Sequence, residues 1–381
     1  MELVTGAASL EAAARAMLGE PAIALDTESN SFYRYPEQLC LVQVATSRQV
    51  YLVDPLAVGD IAPLGRVLAD AAVQKVIHGA DYDVISLDRH AGLRVRNLYD
   101  TGVAARFVGL EQVGLAALAQ ALLGVTLNKS KRLQRADWGR RPLAPELQEY
   151  AAADVRYLLA LRDLLDERLQ ALGRGAWVAE ECARLEEMRY NAPDVPLAFL
   201  AAKGSRELDG RGLAVLRALF AFREEEARRQ ERPPFYILSE AALVQLAANP
   251  QADLGEVPGL GEGGLKRYGR AIERALREGL AAPPVRRPAS THPWARPTPE
   301  QVERLRRLKE WRSARGAELG LDPALLWPMA SLERLARAPE TLAAEFSAPE
   351  VRRWQRERFG EQLRQWLGGG APDADQAPPF P

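Results

Sequence analysis

Residues 23–29 read IALDTES, and two similar runs follow at 39–46 (LCLVQVAT) and 49–54 (QVYLVD). Short apolar runs of this kind, ending in polar residues, predict strands. Side chains alternate between the two faces of a strand, so Asp26 and Glu28 point to the same face. Two carboxylates aimed at one spot raise each other's energy unless something positive lies between them. A divalent metal is the candidate.

Working outward, strand-like runs at 21–28, 39–46, 49–53, 74–78 and 95–99 alternate with helical ones at 9–18, 61–70, 82–91, 113–123 and 144–171. Three strands close together, then strand and helix in alternation, predict an α/β layer fold with a mixed sheet. From about residue 176 the periodicity is helical only, which predicts an all-α second half. That half repeats itself. Leu219, Phe222, Arg223, Leu243 and Leu246 match Leu308, Trp311, Arg312, Leu332 and Leu335 at an offset of 89, and Tyr268-Gly269 matches Phe359-Gly360 at 91. Between the copies, AAPPVRRPASTHPWARP (281–297) predicts an extended Pro-rich linker. The tail from Gly368, GGGAPDADQAPPFP, reads as disordered.

Composition narrows the function classes. A chain of 381 residues suggests two to four domains at ~100–200 residues each, and 47% apolar content suits a globular protein. No run reaches the ~18 apolar residues of a membrane span. The N-terminus, with Glu2 and no basic-then-apolar pattern, does not read as a signal peptide. Cys40 and Cys182 stand alone and far apart, which argues against a zinc site or a disulfide scaffold and points to a reducing cytoplasm. With 50 basic and 51 acidic residues the net charge is −1, so any nucleic-acid surface must be local.

More carboxylates lie in telling places. QKVIHGADYDVISL (74–87) predicts a strand ending near His78-Gly79 and a helix from Asp81 or Tyr82, with Asp83 in its first turn near the strand's C-terminal end. Alone, Asp81 and Asp83 read as a cap and a favourable helix-start charge. ELQEYAAADVRYLL (146–159) predicts a helix on which Tyr150 and Asp154, four apart, share a face, with three alanines between them that let the helix lie close to another element. The three histidines, at 78, 90 and 292, lack the spacing of a catalytic histidine in this last motif.

In combination, D-x-E on the first strand, an Asp opening a later helix and Y-x-x-x-D on the closing helix resemble the DEDD superfamily of 3′→5′ exonucleases, tyrosine subclass. HGADYDVISL, LYDTGVAARF, LLGVTLNKSKRLQRADWGRRPL and YAAADVRYLL are similar to the bacterial ribonuclease D family, which also carries two helical domains of the HRDC type. The resemblance implies an α/β ribonuclease H-like (DnaQ-like) exonuclease domain with a mixed sheet, followed by two small all-α HRDC-type domains. The expected boundaries are an exonuclease domain at 1–175, a helical extension and connector at 176–204, helical domains at 205–280 and 298–367, a linker at 281–297 and a tail at 368–381.

It further implies a metal-dependent 3′→5′ exoribonuclease that releases nucleoside 5′-monophosphates from the 3′ ends of tRNA precursors and other small structured RNAs. Asp26, Glu28, Asp83 and Asp154 would hold two divalent cations, Mg²⁺ or Mn²⁺. Tyr150 would orient the attacking water; a phenol with pKa near ~10 is a poor base at neutral pH. Thr27 and His78 are expected to line the substrate. Among the basic residues of NKSKRLQRADWGRR (128–141), Lys129 and Arg132 are expected to hold phosphates, with Trp138 tucked into the core. Phe32 and Tyr33 are stacking candidates. The glycines of VPGLGEGGLKRYG (257–269) suit either backbone N–H groups offered to phosphate or a tight turn between helices, and the second copy has FSAPEVRRWQRERFG there. The alternatives are a DNA exonuclease of the same superfamily and a noncatalytic nucleic-acid adaptor; no membrane or protein partner is indicated.

Overall fold

The computed structural model describes residues 1–192, 194, 196–288 and 296–368. Six strands, β1 (Glu2–Val4), β2 (Ala22–Ser29), β3 (Leu39–Ala45), β4 (Val50–Val53), β5 (Gln74–Ile77) and β6 (Leu98–Asp100), form one sheet in the order β1-β4-β3-β2-β5-β6. Only β3 runs against its neighbours; β1 with β4, β2 with β5 and β5 with β6 are parallel. All seven residues of β3 are buried, which is why it reads as an apolar run without alternation.

β1 escapes a periodicity reading because three residues carry no period. The last strand starts later than the sequence pattern suggests. Asn97 sits at φ 52°, a left-handed conformation that a strand cannot contain, so pairing begins at Leu98.

Helices α1 (Ala7–Leu18) and α2 (Ala62–Ala69) pack on each other, α3 (Asp81–Ala91) follows β5, and α4 (Thr101–Val108) follows β6. The long helical run of 144–171 is two helices, α5 (Pro145–Arg156) and α6 (Leu158–Ala171), separated at Tyr157. α5 lies against β2, β3 and β4, where Ala151 and Ala152 are fully buried with Cys40, Leu41 and Leu52. Small side chains here let the helix come close enough for Tyr150 and Asp154 to reach the end of β2. Trp138 is buried in the same cluster, with its ring 6.0 Å from that of Tyr150.

After α7 (Gly175–Glu186) the helix order long, short, long occurs twice: α8 (Gly210–Arg229), α9 (Glu240–Ala248) and α10 (Gly261–Ala281), then α11 (Pro299–Leu319), α12 (Met329–Arg337) and α13 (Arg353–Leu367). Asp209 caps α8 through the Gly212 N–H at 2.7 Å, and Thr298 with Gln301 forms a capping box at α11. A Cβ on Gly279 would fall 2.5 Å from the Val215 Cα, so the close crossing of α8 and α10 requires glycine there.

The first repeat has a core of its own, built on Leu216, Leu219, Leu243, Leu246 and Ile272. The second does not: Leu308, Trp327, Leu332, Trp354 and Phe359 are continuous with the core of the α/β sheet. Residues 289–295, the middle of the expected linker, and the tail from 369 lie outside the described residues.

Candidate active site

The site is assembled from three elements. β2 carries Asp26 and Glu28, α5 brings Asp154 over them, and one carboxylate oxygen from each of the three lies within 4.8 Å of the others. Asp83, in the first turn of α3, is the strongest of the charged neighbours that raise Asp26, and its Oδ1 accepts a 2.5 Å hydrogen bond from the Thr27 hydroxyl. Thr27 thereby joins β2 to α3 through its side chain. Asp100, at the end of β6, fixes where α3 begins. Its carboxylate accepts from the backbone N–H groups of Gly79 (3.1 Å), Ala80 (2.8 Å), Gly102 (2.7 Å) and Val103 (3.1 Å). Gly79, at φ 72°, makes the turn between β5 and α3. An Asp next to a Thr at a strand end was the only sequence signal for this clamp.

Electrostatically the group is under tension. Burial holds the Asp26 carboxyl well above the usual carboxylate range, and Asp83, Asp154 and Glu28 add to the effect. Glu28 is also well above that range, through burial and then Asp154. Burial pushes Asp83 up to about 7 against the opposing Thr27 hydrogen bond. Asp154 is raised by burial and held back by Lys129, whose ammonium pairs directly with it. Lys129 also lies 5.2 Å from the centre of the Tyr150 ring. The Tyr150 phenol is raised by burial and by Asp154, Glu28 and Asp26, so it remains a donor at neutral pH.

These residues fit hard divalent cations. The donors are all carboxylate oxygens, the set such ions take, and their mutual repulsion is what a cation removes. Lys129 shows that positive charge is accepted at Asp154. A further feature went unread in the sequence: Gln43, fully buried on β3 and directly opposite Asp26, has neither its amide nitrogen nor its oxygen hydrogen-bonded. Its signal was a single polar residue inside an otherwise apolar strand. Unpaired polar atoms in the interior are costly, which suits a position beside a site that binds ions and water.

The remaining candidates are placed as follows. The His78 Nδ1 lies 2.9 Å from the Thr101 hydroxyl, and burial lowers its pKa, so it braces the turn before α3 in neutral form. Arg132 pairs with Glu146, which lines a cleft of ≈ 490 Å³ together with Asn128, Glu149, Tyr150 and Arg156. Arg141, part of the same basic stretch, is a structural residue. It forks onto Asp54 (2.5 and 2.7 Å) and reaches the Cys40 carbonyl at 2.8 Å, tying the loop to the sheet.

The family model described as 3′-5′ exonuclease matches residues 1–170, and the HRDC domain model matches residues 212–276. Proteins named ribonuclease D from Granulibacter bethesdensis and Gluconacetobacter diazotrophicus are 34% and 35% identical to the chain over 94% of its length, and 90% and 91% of theirs. The crystal structure of Escherichia coli RNase D, described as an exoribonuclease involved in structured RNA processing, superposes with a TM-score of 0.71. The match covers 96% of this chain and 98% of that one at 26% identity.

Proposed function

The chain belongs to the ribonuclease D family of 3′→5′ exoribonucleases, and we propose that it trims the 3′ ends of structured RNAs, tRNA precursors among them, with two divalent cations, Mg²⁺ or Mn²⁺, held by Asp26, Glu28, Asp83 and Asp154. The observation that carries this reading is the convergence of Asp26, Glu28 and Asp154 within 4.8 Å on two elements far apart in sequence. Fold membership implies divalent metal use. Among the described residues no helix is long and apolar enough to cross a membrane.

In the proposed reaction a water oxygen bonds to the terminal phosphorus, the bond to the 3′ oxygen of the preceding nucleotide breaks, and a nucleoside 5′-monophosphate leaves. Cations held by Asp26, Glu28, Asp83 and Asp154 would supply Lewis acidity. The protein's own groups do the rest. Tyr150, kept protonated, donates a hydrogen bond that orients the entering water. Lys129 exchanges its pairing with Asp154 for a non-bridging phosphate oxygen once substrate arrives. Asp83 keeps its position through Thr27. Arg132, paired with Glu146 of the cleft, contacts the backbone further from the end.

A 5′-labelled tRNA precursor incubated with the protein and Mg²⁺ should give a ladder that shortens from the 3′ end, and none with EDTA. An internal cut, or products ending in 3′-phosphate, would overturn the proposal. Asp26→Asn should cost at least about 10³-fold in turnover, comparable to losing one strong electrostatic contact to the transition state. Its thermal midpoint should hold or rise, because the change relieves repulsion with Asp83, Asp154 and Glu28.

A further inference from the structure

Gln43 is fully buried in the middle of β3, and neither end of its amide has a hydrogen-bond partner. The strand pairs it with Asp26 of β2 on one side and Leu52 of β4 on the other. Residues directly opposed on antiparallel strands share a face, with Cβ atoms ~4.5–5.5 Å apart. Leu41, two residues before Gln43, and Leu52 pack with Tyr150, Ala151 and Ala152, so this is the face that α5 covers. Around Gln43 on that face stand Leu41, Ala45, Leu52 and Asp26, and of these Asp26 alone carries a polar side chain. The amide is therefore enclosed by apolar groups on every side but the one held by a catalytic carboxylate.

Two of the other carboxylates already have a donor of their own. The Thr27 hydroxyl donates to Asp83, and the Lys129 ammonium pairs with Asp154. Asp26 stands instead among Asp83, Asp154 and Glu28, which as carboxylates only accept hydrogen bonds. Gln43 brings two N–H donors to the position facing it. A buried polar group without a partner costs about 1–3 kcal/mol, and carboxylates that ligate metal ions are as a rule hydrogen-bonded in turn. One contact between Gln43 and Asp26 meets both demands.

We propose that Gln43 is a positioning residue of the metal centre: its amide N–H donates to one oxygen of the Asp26 carboxylate and so fixes the other as the oxygen that Asp26 offers, with Glu28 and Asp154, to a cation. The proposal rests on the metal-dependent reading of this site. Its test is a titration of the full-length protein with Mn²⁺ alone, in which electron paramagnetic resonance counts the free ion and no turnover is needed.

Gln43→Met keeps the length of the side chain and removes the donor. It should weaken Mn²⁺ binding roughly 10–100-fold, the usual consequence of losing a hydrogen-bond partner of a metal ligand. The thermal midpoint in EDTA should hold or rise, because the unpaired polar atoms are gone. A double-mutant cycle identifies the ligand through which Gln43 acts: Gln43→Met should change affinity by less than about twofold in Asp26→Asn protein and by its full factor in Asp83→Asn protein. Gln43→Leu, shorter and branched, repeats the measurement should methionine overfill the site. Unchanged Mn²⁺ affinity in a variant that keeps the wild-type midpoint would overturn the proposal. So would a lowered midpoint in EDTA for both apolar variants, which marks a purely structural residue, or the full loss persisting in Asp26→Asn protein. A wild-type protein that binds no Mn²⁺ would overturn the metal-dependent reading itself.

Discussion

The two helical repeats share their helix order and a set of apolar positions, yet they join the rest of the chain in opposite ways. The second is welded on by apolar surface. Trp354 stacks on Trp177 with ring centres 4.6 Å apart, meets Phe107 at 5.4 Å, and the Glu180 carboxylate of α7 accepts from the Arg353 and Trp354 N–H groups at 2.6 and 3.0 Å, capping α13. Buried Arg174 bridges the Phe107 and Leu319 carbonyls at 2.7 Å each. The first repeat meets the segment just past β2 through the Tyr35 ring, which packs against its core, and through the polar contacts of Arg34 with Glu231 and Tyr35 with Glu224. In the register that pairs Tyr268 with Phe359, Trp354 falls opposite Gly263. One large side chain thus separates a copy that extends the nuclease core from a copy that keeps its own. The lesson is that two copies of one fold can join a molecule differently, one sharing its neighbour's core and the other keeping its own.

The largest expected effect that could break this comparison comes from Trp354→Ala. Truncating a buried Trp costs about 3–5 kcal/mol, and here the loss should be shared by the sheet. Native-state hydrogen exchange should show lower protection in β2, β3 and β5 together with α11 and α13, while α8 and α10 keep theirs. Equal loss in α8 and α10 would show a single core instead of two.

Next in size is ligation. Mg²⁺ at a hundredfold excess over its dissociation constant should stabilise the folded state by about 2.7 kcal/mol, and by linkage that gain belongs to whatever unfolds with the carboxylates. Calorimetry should raise the transition of the sheet with the second repeat and leave that of the first repeat where it was. A first-repeat transition that moves with Mg²⁺ would mean the polar joint couples the halves tightly.

Tyr35→Phe is expected to cost about 1 kcal/mol, the typical net worth of one hydrogen bond. Burial and Glu224 push the Tyr35 phenol up to about 12, so it donates throughout the physiological range. Exchange should quicken at the amides of residues 30–37 and at the end of α8, and nowhere in α11 or α13.

A pH dependence comes from Lys75, fully buried on β5 with its ammonium on the Asp70 carbonyl at 2.6 Å and on the Val73 carbonyl. Burial lowers its pKa from 10.5 to about 8. The unfolded chain therefore binds more protons between those values, and stability should rise as pH climbs from about 8 to about 10.5. Denaturant titrations should show the rise in the sheet's transition only, and Lys75→Met should flatten it.

Much of the site was legible because its pieces are local. Period two on β2 puts Asp26 and Glu28 on one face, and spacing four on α5 does the same for Tyr150 and Asp154. The alanines between them announced a helix that lies close to its neighbour, and Trp138 went to the core as its surroundings suggested. The mixed sheet and the helical second half followed from the same kind of signal, and the family from the resemblance of its motifs. Asp100 and Gln43 escaped notice because each acts through residues distant in sequence, Asp100 on the turn before α3 and Gln43 beside Asp26.

By itself the sequence determined most of the elements, the pairs of functional side chains within each element, and the duplication of the helical unit, all of which rest on spacing along a chain of fixed geometry. Tertiary structure decided which pairs meet: that Asp154 joins Asp26 and Glu28 while Thr27 ties Asp83 to β2, that Lys129 folds back onto Asp154, and that the second repeat merges with the nuclease core. Contacts of this kind depend on which surfaces bury against each other, and a periodicity fixes the direction of a side chain without naming the partner it will find.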